Sequence, residues 1–137
     1  VIALFNWLLG LISFGDTTLS IEFILGTIFM PLAFLMGAPW SEAHVLGSLM
    51  GQKLVLTEFI AYGNLAALGD EISVRTATIG AYALCGFANF ASIGIQLGGI
   101  GSIAPNRKKD LAKLVTKAMF GGALASWLTA TIAGLLL

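Results

Sequence analysis

From Thr76 to Asn106 the chain runs for 31 residues without a charged side chain. A helix needs about 20 mostly apolar residues to cross a bilayer, so this stretch alone can span with some tilt. The rest of the sequence agrees. Only 10% of its 137 residues are charged and 58% are hydrophobic, giving a mean hydropathy of +0.95. A soluble domain carries roughly a quarter charged residues, and a chain this short cannot hide so much apolar surface from water. Disorder and nucleic-acid binding are excluded on the same ground, since both need charge that is not present. The expectation is an all-α integral membrane protein in contact with the lipid bilayer. The single Cys85 rules out internal disulfides and multi-cysteine metal sites.

The spacing of charges divides the chain. It begins inside an apolar run at Val1, as the C-terminal part of a longer chain would, and Gly15-Asp16-Thr17-Thr18 ends that run. Ser20 is placed to cap a following helix with Glu22 in its first turn. Phe23 to Ser41 is uncharged but interrupted by Pro31, which should bend it. It can span or lie along the interface with Trp40 at headgroup depth. Over residues 42–71, six ionisable residues leave two apolar pieces, each too short to cross. Two short helices entering and leaving on one side form a re-entrant hairpin, which needs burial in protein or a watery cavity. Glycines crowd the second half of Thr76–Asn106, and each weakens a helix by about 1 kcal/mol. A break is therefore expected around 88–94. Five of the seven basic residues lie between 107 and 117, so the loop 105–110 is expected in the cytoplasm. The last apolar helix then ends outside.

Glu58 carries the sharpest chemical signal. A carboxylate at membrane depth costs several kcal/mol unless paired or hydrated, and such a residue marks a substrate, ion or proton site by default. The structural alternative is a carboxylate accepting backbone amides at a hairpin tip, or one paired with Lys53. Asn89 and Ser92 share a face if helical and can bind a polar solute; the alternative is polar glue between helices. His44 reads as an interfacial hairpin residue, Cys85 as a small packing residue, and Arg75 as part of a solvated turn. With no Ser-His-Asp set or paired carboxylates, enzyme chemistry has no support in the sequence, and no cofactor is expected.

Gly51-Gln52-Lys53-Leu54-Val55-Leu56-Thr57-Glu58-Phe59-Ile60-Ala61-Tyr62 resembles the hairpin-tip motif of concentrative nucleoside transporters. Leu84-Cys85-Gly86-Phe87-Ala88-Asn89-Phe90-Ala91-Ser92-Ile93-Gly94-Ile95-Gln96-Leu97-Gly98-Gly99 is similar to the signature of the broken helix that follows it, and Gly101-Ser102-Ile103-Ala104-Pro105 continues the likeness. The resemblance covers essentially the whole chain. It implies the second of two inverted repeats: a scaffold transmembrane helix over 1–14, an interfacial amphipathic helix over 17–38, a re-entrant hairpin over 40–70, a broken helix over 72–104 and a last transmembrane helix over 108–137.

In that family nucleoside binds between hairpin tips and broken helices. Carried over by motif, Glu58, Asn89 and Ser92 would bond the ribose hydroxyls, and Phe87 would line the pocket near the base. Gln52 and Thr57 would support the hairpin tip, although Thr57 stands where the family motif has Asn. The ligands of the coupling cation, Na+ or H+, belong to the first repeat, outside this sequence. The functional expectation is a cation-coupled nucleoside symporter working by alternating access, in the plasma or bacterial inner membrane. The hairpin and broken helix would move against a scaffold containing the first and the surface helix. Its partners would be the remainder of the same chain and two further copies in a homotrimer. The alternatives are a channel with Glu58 as selectivity group, or a non-transporting assembly subunit.

Overall fold

The computed structural model describes residues 2–11, 13–14, 17–18 and 20–137. Val1 and the Gly15-Asp16 pair, expected to begin the first span and to end it, lie outside the described residues. Among the described residues, seven α-helices follow in order: α1 (Ile2–Gly10), α2 (Ile21–Leu35), α3 (Trp40–Val55), α4 (Glu58–Leu68), α5 (Val74–Leu84), α6 (Phe90–Ile103) and α7 (Lys108–Leu136). A two-residue antiparallel strand pair, β1 (Ser13–Phe14) with β2 (Thr17–Thr18), sits between α1 and α2. The helix expected over 1–14 thus ends at Gly10, a residue whose backbone freedom disfavours continuing it.

Local chemistry sets most of the boundaries. Ser20 caps α2 by accepting from Phe23 N at 3.1 Å, and α2 then continues through Pro31. Between α2 and α3 the chain turns at Gly37, whose φ of +104° suits a residue without Cβ. The two axes differ by 120°. α3 and α4 fold back on each other about Leu56 and Thr57. Thr57, in extended conformation, accepts from Ile60 N at 3.5 Å as the N-cap of α4.

The break in the second long apolar stretch falls at Cys85–Asn89, between α5 and α6, meeting the expected 88–94 only at its first two residues. Gly86, with φ +128°, makes the turn, and Asn89 restarts the helix as its cap. The glycines from Gly94 to Gly101 stay helical; a Cβ at Gly94, Gly98 or Gly99 would find open space. α7, preceded by a short turn from Pro105, is by itself long and apolar enough to span a bilayer.

The core lies where α2, α3, α5 and α7 meet, around Ala33, Met36, Leu46, Met50, Ile79, Ala123 and Trp127. Small residues bring helices together, as membrane interiors require, because lipid-exposed apolar faces supply little driving force of their own. A Cβ on Gly47 would stand 2.7 Å from Gly26 O and 2.8 Å from Met30 N. The seam between α2 and α3 is therefore backbone against backbone.

Two residues, Arg75 and Cys85, differ from expectation. Arg75 does not end in a solvated turn: it donates from Nε to Gly37 O at 2.8 Å and from Nη2 to Gly134 O at 2.6 Å. It thereby ties the end of α2 to the end of α7, where a cation suits the exposed carbonyls. Cys85 is exposed, not packed, because it sits in the break. His44 packs its ring on Phe23, centroids 5.2 Å apart, and against Gly26.

Candidate functional site

Glu58 is the first residue of α4, immediately after the hairpin tip. Asn89 is the N-cap of α6, immediately after the helix break. The fold brings these two interruptions together: Asn89 Nδ2 donates to Glu58 Oε2 at 2.7 Å. The other end of the same amide is occupied as well. Asn89 Oδ1 accepts from Ser92 N at 2.8 Å and lies 2.8 Å from Ser92 Oγ. Ser92 Oγ also reaches the carbonyl of Phe87, so its single proton serves one acceptor at a time.

Asn89 and Ser92 meet for a different reason from the shared helical face inferred from spacing. Asn89 has extended φ and ψ of −142° and 167° and is not helical. Asparagine is among the strongest N-caps because its side-chain oxygen takes one of the orphan amides of the first turn. That cap orients the amide oxygen into α6 and leaves its NH₂ pointing to Glu58. Both residues are buried, at 3% and 7% exposure.

Glu58 itself is half-buried. Among the described residues no cation lies within ion-pair distance of it; Arg107 with Asp110 is the ion pair found there. The Lys53 pairing considered from sequence does not form. Lys53 Nζ donates instead to Ala83 O at 3.0 Å and to Ser126 Oγ at 2.7 Å. An ionised carboxylate offers about four acceptor positions, and Asn89 fills one. The remaining capacity suits a pair of hydroxyl donors.

Phe87 lies within the break and is 78% exposed. Its ring is not gathered to the polar cluster through any contact in the core, although its carbonyl is. Gln52 is buried and accepts from Asn64 Nδ2 at 2.6 Å through Oε1, while its Nε2 lies 3.3 Å from Ser48 Oγ. It braces the two hairpin arms against each other, below the tip. Thr57 is committed to the α4 cap. Threonine performs that task as asparagine would, with slightly lower preference, so the departure from the family motif keeps the local geometry.

Sequence reasoning missed Tyr62 and Ser126 and gave Lys53 a different partner. Lys53, Tyr62 and Ser126 surround the end of α5, and Tyr62 Oη donates to Ala81 O at 2.5 Å. The available signal was Lys53 itself, an unpaired base inside an apolar segment. A separate cavity of about 370 Å³ is lined by Glu22, His44, Ser48, Gln52 and Asn64, among others. Glu58, Asn89 and Ser92 do not line it, so it is distinct from the polar cluster.

Comparison with known proteins agrees with this architecture. Residues 1–134 match the family model described as the Na+ dependent nucleoside transporter C-terminus. The uncharacterized transporter YutK of Bacillus subtilis is 51% identical over 98% of this chain and 34% of its own length. Sodium/nucleoside cotransporter 1 of Homo sapiens is 44% identical over 86% of this chain and 20% of its own. Among solved structures, CNTnw in an inward-facing substrate-bound state superposes with a TM-score of 0.89 at 46% identity, covering 98% of this chain and 32% of that one. The chain thus spans between 20% and 34% of the length of these relatives. With a whole-length family match and this fold, the chain belongs to the concentrative nucleoside transporter family, whose members are integral membrane proteins.

Proposed function

We propose that this chain is the substrate-binding C-terminal part of a cation-coupled nucleoside symporter. Glu58, Asn89 and Ser92 bond the ribose hydroxyls and Phe87 lines the pocket beside the base. The observation that carries the reading is the Asn89–Glu58 hydrogen bond, which holds a carboxylate with spare acceptor capacity where a hairpin tip meets a helix break. Broken helices at membrane depth expose backbone and side-chain groups that closed helices hide, which is the usual material of transporter sites. A ribose presents adjacent hydroxyls, and a carboxylate partly shielded from water binds two donors strongly.

The proposal includes alternating access. A CNTnw variant in an outward-facing state and CNTnw in an inward-facing state match this chain almost equally, with TM-scores of 0.91 and 0.89. That supports a segment moving largely as one body. The close α2–α3 seam supports α2 travelling with the hairpin in this reading. α1, which meets α2 where Asn6 Nδ2 donates to Glu22 Oε2 at 2.9 Å, remains as the scaffold element. Coupling to Na+ is favoured over H+ by the family model's description, with the cation ligands in the first repeat. A homotrimer in the plasma or bacterial inner membrane, with loop 105–110 in the cytoplasm and the C-terminus outside, completes the reading.

The test is uptake by the full-length transporter in proteoliposomes. Saturable accumulation of uridine against its gradient, dependent on a Na+ gradient and lost in Asn89→Ala, is expected. Uptake that neither saturates nor exceeds equilibration would identify a passive pore instead.

A further inference from the structure

Lys53 is fully buried, at 0% exposure, although no carboxylate lies within ion-pair distance of it among the described residues. An ammonium taken out of water costs several kcal/mol, so something must offset it. What surrounds it is the C-terminal end of α5. Ala83 O, one of the last-turn carbonyls without a helical partner, accepts from Nζ at 3.0 Å, and Ser126 Oγ of α7 lies at 2.7 Å. The negative end of a helix stabilises a cation there, and bonds from a charged donor are the stronger kind. Gly86 closes the site: a Cβ at that position would sit 3.9 Å from Nζ and 4.0 Å from Ser126 Cβ.

The hairpin therefore meets both sides of the break with matched charge. Its outgoing arm gives Lys53 to the carbonyl end of α5, and its returning arm adds Tyr62, whose hydroxyl donates to Ala81 O. At its tip Glu58 faces Asn89, the cap at the amide end of α6, where negative charge is favoured. A cation lies at the negative helix end and an anion near the positive one, five residues apart in sequence.

We propose that Lys53 is a positioning residue of the substrate site: its ammonium acts as a tethered internal cation at the end of α5 and fixes the break on which Asn89 and Glu58 meet. This rests on the nucleoside-binding reading. Lys53 does not touch the ribose; it sets the distance between the groups that do. The charge is the essential property, because a neutral side chain of equal length leaves Ala83 O without its donor and the α5 end without a counter-charge.

The experiment measures uridine binding by purified full-length transporter carrying Lys53→Met, Lys53→Ala, Ser126→Ala or Glu58→Gln, with oligomer size and Tm recorded for each. Lys53→Met is expected to raise Kd about tenfold or more at unchanged site number. Methylammonium added to Lys53→Ala should restore affinity, as a free cation entering the vacated position. A purely structural lysine would lower Tm and leave the Kd of the folded fraction as in the parent. Lys53→Met within about threefold of the parent, or a folded Lys53→Ala indifferent to methylammonium, overturns the proposal. If neither lysine variant folds, Ser126→Ala decides: weaker binding supports the role, and unchanged Kd contradicts it. Should Glu58→Gln bind normally, the nucleoside-site reading itself falls, a result distinct from failure of the Lys53 variants alone.

Discussion

Asn89 Nδ2 donates to Glu58 Oε2 across 2.7 Å, so one amide both caps a restarting helix and holds the carboxylate at a hairpin tip. Two interruptions 31 residues apart in sequence become one polar site. The chemistry follows from the interruptions. An uninterrupted helix would have spent these backbone groups on itself and offered only side chains.

Ser92 tests how tightly that unit is wired. Ser92→Ala removes the hydroxyl shared between Asn89 Oδ1 and the Phe87 carbonyl but keeps the Ser92 N–H on the Asn89 cap. Loss of one such bond is worth about 1 kcal/mol. Nucleoside affinity is expected to fall severalfold, with an unchanged far-UV spectrum, in a calorimetric titration of the full-length protein.

Thr57 should be replaceable by the family's Asn and not by Ala. Thr57→Asn keeps an N-cap on α4, while Thr57→Ala removes it at a cost of about 0.5–2 kcal/mol. The present bond is long, at 3.5 Å, which places the loss at the lower end. Paired thermal denaturation curves for the two variants would show Asn at or above the parent and Ala below it.

Gly47 and Gly94 make a contrasting pair. A methyl group on Gly47 meets the backbone at Gly26 O and Met30 N, whereas one on Gly94 meets nothing within 4 Å. Backbone cannot rotate aside as a side chain can, and overpacking costs about 1–3 kcal/mol. Gly47→Ala should lower Tm and open the α2–α3 seam. Gly94→Ala should keep or raise stability in this chain, since Ala is the better helix former by about 1 kcal/mol.

Arg75 holds two helix ends at once through Gly37 O and Gly134 O. Arg75→Lys retains the charge but not the fork that reaches both carbonyls, so it should recover only part of what Arg75→Ala loses. Hydrogen bonds to charged groups contribute about 1.5–3 kcal/mol each. Detergent-solubilised full-length protein should therefore rank parent, Lys, Ala in thermal stability.

These residues also mark how far the sequence alone reaches. Ser20 caps α2 as local capping chemistry predicts, and the spacing of charges separates the apolar helices, so the order of elements was legible. Glu58 was legible because an ionisable group in an apolar run is costly and therefore informative. The position of the break was only partly so. Glycine density pointed to 88–94, yet Gly86 alone adopts the turn and the later glycines remain helical. Helix propensity is a weak guide once tertiary packing acts. Lys53 and Arg75 were illegible for another reason: their acceptors, Ala83 O, Ser126 Oγ, Gly37 O and Gly134 O, are 30 to 73 residues away, and no periodicity records such pairings.

The most direct test of the central claim is equilibrium binding of uridine to the full-length transporter with Glu58→Gln. Glutamine keeps the size and the Asn89 contact but loses the charge and one acceptor. Losing two charge-assisted bonds at about 1.5–3 kcal/mol each predicts affinity reduced by roughly a hundredfold or more, with oligomer size and Tm preserved. Binding within about threefold of the parent would contradict the assignment of Glu58 as the group that holds the ribose.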